Sequence, residues 1–110
     1  MKGFYVQNGD ALDYENNTGK EIEAGDVIVL QDRIGVAGTT FKPKETGTVH
    51  VVGVFRMPKA PSDSDIEIGQ YLYFDEENGL TTDSDGNPFA GYAAAFADKD
   101  DPTALVKLNS

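Results

Sequence analysis

The feature that most restricts this chain is a missing one. Nowhere do apolar residues recur at i, i+3, i+4 and i+7 over the roughly eleven positions that an amphipathic helix needs. Apolar residues come instead in short runs closed by turn chemistry. Phe4-Tyr5-Val6-Gln7 precedes Asn8-Gly9, a strong hairpin dipeptide, and Ala11-Leu12-Asp13-Tyr14 follows it. Val27-Ile28-Val29-Leu30 lies beyond Ala24-Gly25-Asp26, and Ile34-Gly35-Val36-Ala37-Gly38 lies beyond Gln31-Asp32-Arg33. Thr48-Val49-His50-Val51-Val52-Gly53-Val54-Phe55 is the longest β-branched run, and its apolar residues fall on both faces. That pattern predicts a central strand covered on both sides and stopped by Pro58. Further strands are expected at Tyr71-Leu72-Tyr73-Phe74, at Leu80-Thr81-Thr82 and at Leu105-Val106-Lys107-Leu108.

The alanine-rich stretch from Ala90 to Ala97 comes nearest to a helix. It carries Gly91 and two aromatics at even spacing and follows the turn Asp85-Gly86-Asn87-Pro88, so it reads as a strand. About eight to ten short strands at this spacing predict an all-β fold, a small β-barrel or a jelly-roll-like sandwich with little or no helix. The chain of 110 residues is one domain's length. Residues 1–8 read as an N-terminal arm of that domain. Residues 57–65 hold Pro58 and Pro61, which deny backbone donors, and read as an exposed loop.

One internal echo stands out. Ile22-Glu23-Ala24-Gly25-Asp26-Val27-Ile28-Val29-Leu30 aligns at a constant offset with Ile66-Glu67-Ile68-Gly69-Gln70-Tyr71-Leu72-Tyr73-Phe74. Each copy then runs through a polar turn into a glycine-containing strand, residues 34–38 in the first and 89–93 in the second. Two similar units related by pseudo-symmetry are one reading. Reuse of glycine before a strand, because glycine supplies the positive φ, is the other.

Composition removes several classes of function. With no Cys there are no disulfides, thiol nucleophiles or thiolate metal sites. A formal net charge of −10 opposes phosphate binding and hence a nucleic-acid partner. No apolar run approaches the roughly 18 residues of a membrane span, and Met1-Lys2-Gly3-Phe4 leads into no long apolar segment of the kind a secretory signal has. His50, the one histidine, sits between Val49 and Val51, where a structural role is expected. No G-x-S-x-G elbow and no phosphate-binding glycine loop occurs. The carboxylates cluster in turns, as at Asp75-Glu76-Glu77 and Asp98 to Asp101, where they serve turn geometry and solubility. No catalytic residue, metal site or cofactor is expected. Asp83, Asp85 and Asn87 form a partial match to a calcium loop, but Gly86 is misplaced and Ala94 stands where the closing Glu belongs.

Taken in order, several landmarks resemble a family. They are Phe4-Tyr5-Val6-Gln7-Asn8-Gly9-Asp10; Ala24-Gly25-Asp26-Val27; Val52-Gly53-Val54-Phe55-Arg56-Met57-Pro58-Lys59; Ile68-Gly69-Gln70-Tyr71-Leu72-Tyr73-Phe74-Asp75; Gly79-Leu80-Thr81; Phe89-Ala90-Gly91-Tyr92-Ala93; and Val106-Lys107-Leu108-Asn109. Over nearly the whole chain this is similar to the small capsid cement, or head-decoration, proteins of tailed bacteriophages. The resemblance implies a non-enzymatic structural protein of the virion. It would be made in the host bacterial cytoplasm and bound to the outer capsid surface through the major capsid protein. It implies self-association, with a homotrimer favoured and a dimer also fitting, and no nucleic-acid or membrane partner. Aromatic and methionine anchors at interface cores then point to Phe4, Tyr5, Val6, Phe55, Met57 and Pro58 as capsid or subunit contacts. Three other readings compete. One is a carbohydrate- or calcium-binding β-module using Tyr14, Tyr71, Tyr73 and Tyr92 or the Asp83–Asn87 loop. The others are a small tail or baseplate domain and, least favoured, a small hydrolase.

Overall fold

In the computed structural model, which describes residues 1–109, nine strands form one mixed sheet and no helix occurs among the described residues. The strands are β1 (Ala11–Glu15), β2 (Val27–Leu30), β3 (Arg33–Ala37), β4 (Thr46–His50), β5 (Val54–Pro58), β6 (Tyr71–Asp75), β7 (Gly79–Thr81), β8 (Phe89–Ala93) and β9 (Thr103–Leu108). The all-β expectation holds; the sheet does not close into a barrel, and the compact arrangement fits the sandwich form of the expectation. The main path runs β1-β4-β3-β8-β6-β7, with β2 on β3 and with β9 joining β8 to β5.

The internal echo is a structural repeat. In the first unit β1 pairs β4, β4 pairs β3 and β3 pairs β2; in the second β5 pairs β9, β9 pairs β8 and β8 pairs β6. The registers coincide. Ala11 faces His50 as Val54 faces Lys107, Val36 faces His50 as Tyr92 faces Lys107, and Val27 faces Val36 as Tyr71 faces Tyr92. The loops repeat as well. Ile22 bridges Phe41 as Ile66 bridges Ala97, and the Gly25 and Gly69 N–H groups each donate to an alanine carbonyl, of Ala37 and Ala93, at 2.8 Å. The two units meet where β3 runs parallel to β8, and the residues that pair there, Arg33 and Phe89, are themselves equivalent.

Four copies of one tight turn explain why so many polar residues precede strands. In each, the side chain of the fourth residue accepts a hydrogen bond from the N–H of the first. Asp26 caps Glu23, Glu45 caps Lys42, Gln70 caps Glu67 and Asp101 caps Asp98, at 2.7–2.9 Å. Such local caps satisfy backbone donors that no ladder reaches. The third position has positive φ in three of the four, at Gly25, Lys44 and Gly69.

Each unit contributes a core at matching positions. Ile22, Ile28, Ala37, Phe41 and Val49 form the first; Ile66, Leu72, Ala93, Ala97 and Val106 recur in the larger second, which adds Met57, Leu80 and Leu108. Val27, Val29 and Val36 of the first unit pack against that second core, which ties the halves together. Asn109 crosses between them: its N–H donates to Ala90 O at 2.8 Å and its side-chain amide to Ile34 O at 3.2 Å, the same carbonyl in the other unit.

Three expectations fail. Phe4-Tyr5-Val6-Gln7 is not a strand, and Asn8-Gly9 joins no hairpin; β1 finds its partner in β4, so residues 1–9 carry no ladder. The run from Thr48 to Phe55 is not one central strand. It is cut at Gly53, whose φ of 128° turns the chain out of the first unit, leaving β4 and β5 in different units. Residues 57–65 are not all exposed loop: Met57 and Pro58 complete β5, Lys59 and Ala60 are buried, and the exposed part is 61–65.

Candidate interaction surfaces

The described residues hold no group of three or more His, Cys, Asp or Glu placed to take a metal ion. Around Asp83 the polar groups serve the turn itself. Its carboxylate accepts from Asp85 N–H at 3.0 Å, and the Asn87 amide donates to Asp83 O at 3.0 Å. One open groove is lined by Ile22, Val27, Ile28, Val29 and Phe74 together with Asp26 and Glu76. The Asp26 carboxylate is already engaged by Glu23 N–H. Asp75 is held below the usual aspartate range, chiefly by the Glu77 backbone N–H and next by the Asn78 side chain, again inside a turn.

The chemistry of this surface lies in its exposed apolar residues. Phe4, Tyr5 and Val6 are 82%, 81% and 86% exposed, and an isolated hydrogen bond from Tyr5 Oη to Asn8 is what shapes the segment locally. The remaining anchors proposed from sequence are scattered. Phe55 is half-buried with its ring 6.4 Å from that of His50, Pro58 is exposed at the end of β5, and Met57 is 2% exposed. Met57 therefore belongs to the core.

A second surface was not legible in the sequence. On the outer side of β5-β9-β8-β6, Val54, Lys107, Tyr92 and Tyr71 are successive cross-strand neighbours, one residue from each strand. Tyr71 is 65% and Val54 54% exposed, and Lys107 Nζ stands 5.8 Å over the Tyr92 ring. Tyr71 and Tyr73 both meet Phe89 edge-on, at 69° and 70°. Tyr14 is elsewhere, packed against the first core. Only the strand register gathers these residues, and a register cannot be read from spacing within single strands.

The chain is a small pseudo-symmetric β protein whose turn carboxylates cap backbone and which leaves several large apolar side chains in solvent. The family model for phage cement proteins matches residues 6–108, and the chain belongs to that family. No curated protein and no solved structure matches it. Membership carries the coarse role of a phage capsid cement protein, associated with the capsid.

Proposed function

We propose that this protein binds the outer surface of the assembled head and stabilises the shell by bridging neighbouring major capsid subunits, without catalysing a reaction. The match across residues 6–108 carries this reading. The shape supports it: a body of 42 × 37 × 22 Å is flat, and a flat module covers lattice area with little mass. A protein that binds the expanded lattice, and not its precursor or free subunits, stabilises the lattice by its binding free energy at every site. Bridging two subunits adds effective concentration to that gain. The N-terminal segment, with Phe4, Tyr5 and Val6 in solvent, acts as the arm that lies on the capsid, and Phe55 and Pro58 flank the second contact. Its working form is a homotrimer, made in the host cytoplasm and added to finished heads.

Purified protein mixed with expanded, undecorated heads should co-sediment with them and raise the temperature at which they release DNA. Absence of binding at micromolar protein overturns the proposal.

A further inference from the structure

We infer that the outer face of the second unit is the surface through which copies of this chain associate, and that it receives the β1 face of the next copy. The inference rests on the self-association proposed above and gives it an address.

Polarity and charge support it together. The exposed large apolar residues are unevenly placed: apart from the N-terminal segment and Leu12, they are Val52, Val54, Ile68, Tyr71 and Phe96, all at or beyond the junction of the two units.

Repeat equivalence then identifies the occupant. On the second unit's outer face β5 and β9 present Val54, Arg56, Leu105 and Lys107. At the equivalent positions of the first unit β1 and β4 present Ala11, Asp13, Thr48 and His50, followed by Glu15. The same backbone frame therefore carries cations among apolar groups on one face and exposed carboxylates on the other. Two like faces of Arg56 and Lys107 would repel each other. A face of Arg56 and Lys107 against one of Asp13 and Glu15 attracts. The contact is head-to-tail; such a contact closes into a ring when its rotation allows and otherwise runs on as a filament, and the trimer proposed above is the closed case.

Light scattering at low salt should give a mass near three times 11.9 kDa. R56E/K107E and D13K/E15K should each run as folded monomers by scattering and circular dichroism, and the chain carrying all four changes should regain the assembly. Tyr71→Ser, which leaves every charge in place, should weaken association about tenfold or more. A monomeric wild type overturns the inference, as does an oligomer indifferent to both charge reversals, or their loss without recovery in the four-fold variant. Head binding by the same samples separates the two ideas. A monomer that decorates heads removes this interface and leaves the proposed function standing; an assembled ring that ignores heads does the reverse.

Discussion

Gly47 lies directly under the ring of Phe41: a Cβ added there would stand 2.1 Å from Phe41 Cδ1. The equivalent pair in the second unit is Ala104 and Ala97. The two halves thus fill one site in opposite ways, with a large residue over none in the first and two small ones in the second. Gly47→Ala should cost about 1–3 kcal/mol through overpacking, and Phe41→Ala about 3–5 kcal/mol through the cavity. The double substitution, which copies the second unit, should cost less than the sum by roughly 1 kcal/mol or more in urea unfolding. Strict additivity would refute the exchange.

Gly91 has φ of 149°, and a Cβ on it would fall 1.9 Å from Lys107 O. The β8–β9 ladder closes only because no side chain stands there. Gly91→Ala should destabilise the domain by about 3 kcal/mol or more, visible as a large drop in Tm.

The buried polar residues of the two units are equivalent as well, Asn16 after β1 and Lys59 after β5, whose N–H groups donate to Glu45 O and Pro102 O at 2.9 Å. Asn16 donates to Lys20 O at 2.6 Å and accepts from Thr18 N–H and Oγ1 at 3.0 and 2.6 Å. Lys59 makes one side-chain bond, to Lys99 O at 2.8 Å. Asn16→Ala should therefore cost about 2–3 kcal/mol, and Lys59→Met, which keeps the apolar stem, about 1 kcal/mol. Chemical denaturation orders the two, and equal losses would contradict this account.

Asp75 should titrate below the ordinary aspartate range when its carboxyl shift is followed by NMR, and Asn78→Ala should move the midpoint upward. Because the folded pKa is lowered, the carboxylate's contribution is in place above the unfolded value and fades as pH falls through the folded one.

Replacing Phe4, Tyr5 and Val6 together by Ser should leave stability within about 0.5 kcal/mol, since the three side chains stand in solvent. Head binding should fall about tenfold or more. Retained binding would take these residues out of the capsid contact.

The β class was written into the chain locally. Turn dipeptides, β-branched runs and the absence of helical spacing act over a few residues, so β2, β3, β6 and β8 are visible in sequence, as is the repeat of Ile22–Leu30 in Ile66–Phe74. Phe4-Tyr5-Val6-Gln7 shows the limit: its pattern suits a strand, but a strand needs a partner, and the free edge of β4 was taken by β1. Whether the Val51-Val52-Gly53 run stayed straight was likewise decided by which ladders its flanks joined, and the turn at Gly53 put them in different units. Met57 looked like a surface anchor until the register set it against Ala104 in the core. The outer row of Val54, Lys107, Tyr92 and Tyr71 comes from four strands far apart in the chain. Side-chain alternation tells which face a residue takes relative to its neighbours, while cross-strand pairing depends on the free energy of the whole sheet. Sequence therefore determined the β class and carried the repeat, and tertiary structure decided which runs became strands, what they bury and what they leave exposed.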